Sequence, residues 1–508
     1  MSGAAQPLII YPGAPVRFDR LPCVPVAEFR ETVIRDVAQG ARLAALFGLE
    51  TSATEIELVA ILAHAERGVL AALTTRPGAA YPALTPDCPQ AQGFEREVAE
   101  QWGVLPQGHP WLKPLRFHPP FGKRSAVWPQ TSAEPSRPGV IDFFQMTGEE
   151  IHEVAVGPVH AGIIEPGHFR FQCHGEQVFH LEISLGYQHR GVERSLVGGP
   201  AKRAIHFMET LSGDTTIGHA TVYAQVLEAL GAGTAPSRAQ ALRAIALELE
   251  RLANHAGDLG ALAGDIGFLP TASFCGRIRG DFLNLTALLC GNRFGRGLIR
   301  PGGVAFDLDA ARADELRRCL EQAGRDIRGA VDLLWRMPSV MARFEQTGTL
   351  TPEDCRCLGL VGPVARACGL ERDVRYEFPF GMYCFEQIPV STWTSGDVFA
   401  RAYVRWLEIQ RSLDFILALL DALPEGPIAG TVGALMPEAL VVSLTEGWRG
   451  EIVHVALTDA QGRFRRYKVV DPSFHNWMGL ALAMRRQPIS DFPLCNKSFN
   501  LSYCGHDL

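Results

Sequence analysis

The apolar positions of the first hundred residues change their period several times. Ala27–Phe47 carries apolar residues at helical spacing, whereas Ile56–Leu62 and Gly68–Thr74 are short apolar runs of strand length. The stretch GFEREVAEQWG (Gly93–Gly103) mixes charged and apolar groups in the way of a short helix that ends at a glycine. This pattern predicts a small α/β domain over residues 1–104.

Prolines dominate the next part of the chain. The sequence LPQGHPWLKPLRFHPPFGKRSAVWPQTSAEPSRPG follows directly at Leu105–Gly139. Because proline lacks a backbone N–H and fixes φ, such a segment cannot hold a long helix or a central strand. We therefore expect residues 105–150 to form a linker or an extended wrap between two domains.

From residue 151 onward, strand-like and helical patterns are separated along the chain. GHFRFQCHGEQVFHLEISLG (Gly167–Gly186) alternates as a hairpin does. Helical spacing then marks Pro236–Leu262, Ala310–Met337 and Gly396–Leu423, and a second hairpin turns at Asp459–Gly462. The second domain, residues 151–508, is thus predicted to be mainly helical with small antiparallel sheets, and the fold class is α+β.

Composition excludes several classes of protein. Apolar residues make up 47% and charged residues 20% of the chain, as in folded globular proteins, and a net charge of −7 argues against nucleic acid as a partner. The 12 cysteines contain no CxxC pair, which excludes the usual iron–sulfur and zinc-ribbon spacings. We find no signal peptide, no apolar run of about 20 residues and no strand–GxGxxG–helix loop for NAD. A cytoplasmic protein with reduced thiols is expected.

Five collinear motifs resemble one family. They are GPVHAGIIEPGHFRF (Gly157–Phe171), GYQHRGVER (Gly186–Arg194), ELERLANHAGDLGALAGDIGF (Glu248–Phe268), RPGG (Arg300–Gly303) and GPVARACG with RDVR (362–375). The chain resembles the large subunit of energy-converting, formate hydrogenlyase-type [NiFe]-hydrogenases and, equally, the hydrogenase-derived large subunit of respiratory complex I. Upstream, YPALTP followed by FEREVAEQWGV is similar to the accessory subunit that packs beside it in complex I.

The resemblance implies a particular setting for the protein. It predicts a peripheral protein on the inner face of the cytoplasmic membrane, held there by membrane-arm subunits. It also predicts a small iron–sulfur partner subunit that carries the clusters, with a quinone as one candidate acceptor. This chain itself is expected to bind no cofactor.

In the true hydrogenases of this family, nickel and iron are held by two CxxC pairs. Gly213 and His219 keep the spacing of the first pair, and NLSYCGHDL at the end of the chain lies over the second pair. The ligand positions then fall on Ser212, Thr215, Ser502 and Gly505. Hydroxyl groups are hard, weak donors for nickel and glycine has no side chain, so the resemblance implies that the nickel–iron ligands have been lost and that no metal is bound.

Cys504 and His506 allow two interpretations. As a CxH pair they could start a new metal site, but two ligands need further partners. The alternative, which we favour, is a tail packed into the vacated cavity, with the Cys504 sulfur out of register with the old ligand position.

His160 and His168 lie where the complex I relative carries a quinone-contacting histidine. A histidine there can donate a hydrogen bond to a quinone carbonyl and supply a proton. The alternative is a structural histidine that anchors the loop. Ala201 stands where the complex I pattern has a tyrosine, which removes one half of the expected quinone contact.

Polar groups are also expected at the cavity itself. Asp214 lies between two of these predicted ligand positions, where hydrogenases have an apolar residue, and Arg449 is a candidate partner for it. A solvated or simply hydrogen-bonded carboxylate is the alternative, which we favour. If Asp214 is buried, its pKa depends on that partner. His219 completes the candidate cavity set.

One long helix carries a row of charged groups. Glu248, Arg251 and His255 are three and four residues apart and share a helix face. The resemblance allows a role in coupling or proton transfer, and a solvated or interface charge cluster is the alternative.

Two functions remain open on the sequence alone. The first is an oxidoreductase subunit, NADH dehydrogenase-like and without a nickel–iron centre, that receives or passes electrons through a partner iron–sulfur subunit. The second is a non-catalytic scaffold that holds such a complex together. No catalytic residue is assigned, and a working hydrogenase with oxygen ligands is not favoured.

Overall fold

The computed structural model describes residues 6–51, 55–122, 127, 138–160 and 164–508. Helices and strands are mixed in the α+β arrangement predicted from the sequence. The elements of the first part are β1 (Leu8–Ile10), β2 (Val16–Arg17), α1 (Val26–Ala38), β3 (Arg42–Glu50), β4 (Ile56–His64), β5 (Val69–Thr75), β6 (Ala80–Pro82), α2 (Gln92–Trp102) and β7 (Leu105–Gln107).

The N-terminal sheet has the strand order β1-β5-β4-β3, and all its neighbouring strands are antiparallel. The prediction of a helix over Ala27–Phe47 is wrong in its second half. Helix α1 ends at Ala38, Gly40 follows with φ +100°, and the chain continues as strand β3. Buried apolar side chains on both faces of β3 hide the strand period, so a helical interpretation fits the pattern equally well.

The second part of the chain begins with an antiparallel sheet of order β10-β9-β8 and continues with helices. Its elements up to the middle of the chain are β8 (Ile151–Val156), β9 (His168–His174), β10 (Gln177–Ser184), α3 (Val192–Leu196), α4 (Ala204–Met208), α5 (Thr216–Leu230), α6 (Ser237–Asp265), α7 (Leu269–Cys290), β11 (Ile299–Arg300) and β12 (Gly303–Val304). The predicted β9–β10 hairpin is confirmed.

The remaining elements are mostly helices, with one further sheet. They are α8 (Ala310–Trp335), α9 (Pro338–Phe344), α10 (Pro352–Leu358), α11 (Gly362–Arg366), α12 (Val374–Glu377), α13 (Val398–Asp421), β13 (Ala439–Gly447), β14 (Gly450–Thr458), β15 (Phe464–Val470), α14 (Pro472–Ala483), α15 (Phe492–Phe499) and α16 (Tyr503–Asp507). The three long helices and the second hairpin predicted from periodicity are confirmed as α6, α8, α13 and β14–β15.

Helices α6, α7, α8 and α13 pack together and form the larger hydrophobic core. Helix α6 is buried along most of its length, which explains why its apolar residues occupy more than one face. Its burial places the charged row at Glu248, Arg251 and His255 fully inside the protein.

The sheet β15-β14-β13-β2 links the two parts of the chain. Strand β2, from the N-terminus, pairs with β13 through Val16 opposite Leu440. Apolar residues of this sheet, among them Val442 and Val455, belong to the same core cluster as Phe47 and Leu62 of the N-terminal sheet. The region before the proline-rich segment therefore shares a continuous core with the region after it.

The proline-rich segment begins with the short strand β7, which pairs in parallel with β6. Residues 123–126 and 128–137 of the expected linker lie outside the described residues. Arg116 of this segment is buried and donates to the backbone carbonyl of His506 at 3.1 Å, so this part of the segment contacts the C-terminal tail.

The tail that carries two of the predicted ligand positions is itself buried. Helix α14 begins after Asp471, whose side chain accepts a hydrogen bond from the backbone N–H of Ser473. Ser502 caps α16 in the same way, through Gly505. Within the described residues, no helix is long and apolar enough to cross a membrane.

Candidate functional site

The structure brings two distant residues, both predicted as ligand positions, into direct contact. Ser212 precedes α5, and Ser502 caps α16, 290 residues later in the chain. The Ser212 hydroxyl donates to the Ser502 Oγ at 2.9 Å. Thr215, the N-terminal flanking residue of α5, is 1% exposed, as are both serines. These three residues, which the resemblance predicts as ligand positions, thus lie together in one buried site.

Arg449, at the tight turn between β13 and β14, lies among these hydroxyl groups. Its Nη1 is 3.2 Å from Ser212 Oγ and 3.3 Å from Thr215 Oγ1, both within hydrogen-bond distance. The same guanidinium forms a two-point contact with Asp214, at 2.5 Å for Nη1 and 2.8 Å for Nη2. Its Nε donates to the Asn500 carbonyl, so a paired cation occupies the middle of the site.

The position of this ion pair is fixed by its surroundings. The Trp448 ring stacks against the guanidinium, 3.9 Å from its centroid, and the Trp448 indole N–H donates to the Asp214 carbonyl. Asn254 of α6 donates to the same carbonyl at 3.0 Å. The turn that carries Arg449 is itself closely packed against the segment at Gly362. A Cβ built at Gly450 would lie 2.8 Å from Gly362 Cα.

The ion pair sets the charge of both partners. Burial alone raises the pKa of Asp214, but Arg449 and the hydroxyls of Ser212 and Thr215 lower that pKa below its ordinary value. Burial opposes the charge on Arg449, and Asp214 more than offsets that effect, so the pKa of Arg449 is raised. Both groups are therefore charged at neutral pH.

Gly505 leaves room for a carboxylate. A Cβ built at Gly505 would lie 2.7 Å from Cγ of Asp471 and 2.8 and 2.9 Å from its two oxygens. The Asp471 carboxylate therefore fills space that a side chain at position 505 would need. Burial raises the pKa of Asp471, but His219 and Arg449 lower it below its ordinary value, so this carboxylate is ionised.

Behind Asp471 lies a chain of buried polar rings. Asp471 Oδ2 is 3.0 Å from Nε2 of His219, and Nδ1 of His219 is 3.2 Å from Nε2 of His454. Nδ1 of His454 is in turn 2.9 Å from the Tyr467 hydroxyl. These four side chains are at most 1% exposed.

Comparison with known proteins identifies the family. The profile of the respiratory-chain NADH dehydrogenase 30 Kd subunit matches residues 27–133, and that of the 49 Kd subunit matches residues 265–434. Formate hydrogenlyase subunit 5 of Escherichia coli is 30% identical over 84% of this chain and 77% of the relative. The carbon monoxide-induced hydrogenase of Rhodospirillum rubrum is 31% identical over 69% of this chain and 97% of the relative. This chain belongs to the hydrogenase and complex I large-subunit family.

A third relative represents the complex I branch of the family. An NADH-quinone oxidoreductase subunit of Solibacter usitatus is 29% identical over 62% of this chain and 86% of the relative. The order of the two matched regions, 30 Kd before 49 Kd, is that of a fused protein. The expectation of an accessory region joined to a hydrogenase-related large subunit is confirmed.

The family raises the question of whether the residues present fit a nickel–iron centre. They do not, because no thiol stands at any of the four positions and a guanidinium contacts two of them. A cation placed against further metal cations is repelled, and the hydroxyl groups are hard donors. Within the described ranges, no three His, Cys, Asp or Glu side chains are grouped in a way that could hold a metal ion.

Cys504 and His506 have different surroundings in the structure. The Cys504 sulfur is 3.5 Å from Ser502 Oγ, and burial raises the pKa of its thiol to about 12. The His506 ring instead stacks on Phe474, and its Nδ1 is 2.9 Å from the Asp507 carboxylate. The two side chains therefore have separate partners, in keeping with a packed tail.

The two loop histidines also differ in their contacts. His168 accepts from Arg170 Nε at 3.2 Å, and burial together with Arg170 lowers its pKa, so it is neutral. His160 Nε2 is 3.5 Å from the Tyr503 hydroxyl, at the outer limit of a hydrogen bond. Its Nδ1 is buried without a partner among the described residues. Ala201 is exposed.

The charged row of α6 enters a buried ion network. Arg251 donates to Glu248 at 3.1 Å and to Glu408 at 3.3 Å, and His255 Nε2 is 2.8 Å from the same Glu408 carboxylate. Arg366 adds a second guanidinium on Glu408, which lowers the pKa of that carboxyl well below its ordinary value against the effect of burial. The row is internal, so a solvated charge cluster is excluded.

Three residues of the site were missed in the sequence: His454, Tyr467 and Asp471. The sequence DPS at Asp471 is a helix-start signal, which predicts its capping role but not its contact with His219. His454 and Tyr467 lie on adjacent strands of a predicted hairpin. No local signal shows that their side chains meet a helix from another part of the chain.

Proposed function

We propose that this protein is a subunit of a membrane-associated, complex I-like or hydrogenase-related oxidoreductase and works without a nickel–iron centre. One observation carries the proposal: the Arg449–Asp214 ion pair contacts Ser212 and Thr215, two residues that the resemblance predicts as ligand positions. We further propose that these positions, with Ser502 and Gly505, descend from lost ligands. The protein would act on the cytoplasmic face of the membrane.

The names of the relatives support the setting. Formate hydrogenlyase subunit 5 and the NADH-quinone oxidoreductase relative are parts of larger assemblies by their names. The 12 cysteines of this chain contain no CxxC pair of the kind that holds an iron–sulfur cluster. Because one-electron transfer in proteins is carried by cofactors, another subunit has to supply the clusters. We place them on a small iron–sulfur partner subunit, with membrane-arm subunits as further partners.

The acceptor that we favour is a quinone near His160. The buried Nδ1 of His160 has no partner in the described part of the chain and is available to a ligand hydroxyl or carbonyl, and Tyr503 offers a second polar group nearby. Edge-to-face contact with Phe169, at 5.6 Å between ring centroids, adds an apolar surface. These are the groups that a quinone head needs, namely hydrogen-bond partners beside an aromatic wall.

The second candidate is a structural scaffold, and a specific observation favours it. Arg449, Ser502 and the backbone N–H of Gly505 all have partners within the protein. When these polar groups already have partners within the protein, they are not free to bind a substrate. In that case the tail fills the site, and the protein holds the iron–sulfur and membrane subunits together.

A photoreactive quinone analogue separates these two functions. The purified complex is irradiated with the analogue, with and without excess quinone, and the labelled peptides are identified. We expect quinone-protected labelling of the segment around His160 or Ser212, lost in His160→Ala and retained in His168→Ala, the matched control. Labelling that excess quinone does not reduce, or that both variants retain, supports the scaffold instead.

A further inference from the structure

A small cavity lies where helix α2, the proline-rich segment, the end of β10 and helix α14 meet, with His506 of the tail beside them. Its volume is about 50 Å³. Since a single water needs roughly 10–15 Å³ of such space, a ligand of about three to five heavy atoms fits. Among the described residues that line this cavity, none belongs to the site around Arg449.

The cation of this cavity is Arg96 of α2, which is 8% exposed. Its Nε donates to the Lys113 carbonyl at 2.9 Å, its Nη2 donates to the Pro114 carbonyl at 2.8 Å, and the guanidinium lies 5.1 Å from the Trp111 ring centroid. Within the described ranges Arg96 forms no ion pair, and its Nη1 has no hydrogen-bond partner. One end of the guanidinium is therefore free.

The nearest carboxylates are occupied by other groups. Glu182 contacts Lys113 Nζ at 2.7 Å and accepts from the backbone N–H of Phe144 at 2.8 Å. Glu100 accepts from the backbone N–H of Arg116 at 2.9 Å. Burial outweighs the attraction of both carboxylates and lowers the pKa of Arg96 to about 10. The guanidinium is still charged at neutral pH, and a buried charge without a partner is unfavourable, so an anion at its free end would stabilise it.

Two neutral side chains add hydrogen-bond donors to the same cavity. The side-chain amide of Gln92, one turn before Arg96, has no partner among the described residues, and its oxygen is buried. An amide carries two N–H donors, which suit an anion. The Ser184 oxygen accepts from the backbone N–H of Gly139 at 3.3 Å, so its own O–H is left to donate.

The rest of the wall is apolar. Leu115, Leu185, Phe474, Trp477 and Ala481 line the cavity and are all buried. Apolar walls with a few polar groups are the usual composition of a small-molecule site. A carboxylate on a short hydrocarbon chain matches this composition, because its two oxygens fit the guanidinium fork and its chain fits the walls.

We propose that this cavity binds a short-chain carboxylate through Arg96. The carboxylate lies at the Nη1 and Nη2 end of the guanidinium, with the Gln92 amide and the Ser184 hydroxyl as further donors, and its chain contacts Trp477 and Ala481. Binding is reversible and involves no covalent step. The ligand contacts the accessory region, the large-subunit region and the tail together, and its binding does not depend on the quinone or the clusters proposed above.

Propionate, with five heavy atoms, is the probe, and propionamide is its uncharged counterpart of the same shape. Saturation-transfer NMR of the full-length chain detects binding through the methyl group of the probe. We expect saturation transfer to propionate and a thermal midpoint that rises with propionate concentration, at an ionic strength held constant with chloride, because the ligand binds the folded state alone. Propionamide should bind at least about tenfold more weakly, since hydrogen bonds to a charged partner are the stronger ones.

Two variants test the cavity itself. Arg96→Lys keeps the positive charge but lacks the planar fork, and we expect about tenfold weaker propionate binding. Ala481→Leu fills the apolar end without altering a polar group, and we expect binding to be lost. Arg343→Lys is the matched control, because it makes the same exchange at an ion pair with Asp491 outside the cavity, and it should bind propionate as the parent does.

Equal effects of propionate, propionamide and chloride on the parent overturn the proposal. Parent-like propionate binding in Arg96→Lys or in Ala481→Leu overturns it as well. If either variant does not fold, the contrast between propionate and propionamide in the parent decides. The probes bind the isolated chain, so a negative result here leaves the quinone labelling unaffected.

Discussion

At the scale of the residue, the guanidinium of Arg449 determines what the cavity can hold. It is paired with Asp214 and touches Ser212 and Thr215, which the resemblance to the family predicts as ligand positions. The resemblance could mark these positions because Gly213 and His219 keep the family's local spacing around them. It could not predict the Asp471–His219 contact, because 252 residues separate the partners and neither carries a local signal for the other.

Removing the cation tests the ion pair. Arg449→Met leaves Asp214 without its partner, and breaking a buried pair in this way costs about 3–5 kcal/mol. Because the Asp214 side chain is 32% exposed, we expect the lower end, about 3 kcal/mol of unfolding free energy, in urea denaturation. The double variant Asp214→Asn/Arg449→Met is the control and should lose less than the single variant. An equal or larger loss in the double variant contradicts the pairing.

Gly505 gives a second test at this scale. Gly505→Cys restores the residue type of the family pattern, but its Cβ would lie 2.7 Å from Asp471 Cγ. Overpacking of this kind costs about 1–3 kcal/mol, measured as a lower thermal midpoint. Asp471→Ala in the same chain should relieve most of that loss. A Gly505→Cys protein as stable as the parent shows that the carboxylate does not fill this space.

At the scale of the element, helices were predicted well wherever a wide apolar face repeats. Helices α6, α8 and α13 have that pattern, and their bounds differ from prediction by a few residues at most. The β3 strand was missed because it is buried on both faces, so its sequence does not alternate. In a strand, alternation reports burial on one face, and the alternation disappears when both faces are buried.

The start of α5 depends on a residue of another helix. Thr215 makes no side-chain cap, and the Glu250 carboxyl of α6 instead accepts from the backbone N–H groups of Ile217 and Gly218, at 2.7 and 3.2 Å. Two lost hydrogen bonds to buried donors cost about 2 kcal/mol or more. We expect Glu250→Ala to lose this amount of unfolding free energy and Glu250→Gln to lose less. Equal stability of Glu250→Ala and the parent rules out the capping role.

Glu250 also gives a pH dependence with a definite sign. Burial raises the pKa of Glu250 to about 8, although the two N–H donors act to lower it. An acid whose pKa is higher in the folded state than in the unfolded state binds more protons when folded, so its contribution to stability falls as pH rises from about 4.3 to 8. Unfolding free energies measured across this range should fall with pH in the parent and fall less in Glu250→Gln. Parallel pH profiles contradict a raised pKa.

At the scale of the whole molecule, the N-terminal region and the large-subunit region share one core cluster. Buried ion pairs cross the same boundary: Arg42 of β3 donates to Glu451 at 3.1 Å, and Lys468 of β15 contacts Glu97 of α2 at 2.7 Å. The sequence separated the two regions by composition. It could not show their contact, since neither region's pattern reveals which apolar face meets the other.

A shared core predicts cooperative unfolding. Calorimetry of the full chain should show one transition rather than two, and Arg42→Met should lower its midpoint without splitting it, because one core joins both regions. Arg42→Met should lose about 3–5 kcal/mol of unfolding free energy, because it leaves Glu451 buried without its partner. Arg17→Met is a control on an exposed ion pair and should change little. Two separate transitions in the unaltered chain contradict a shared core.

The central claim is that this member of the family works without nickel. The direct measurement is elemental analysis of the intact complex, purified from cells grown with added nickel, with iron counted in the same samples. We predict iron in amounts that match the clusters of a partner subunit and nickel far below one atom per chain, unchanged in Arg449→Met. One nickel atom per chain would contradict the claim.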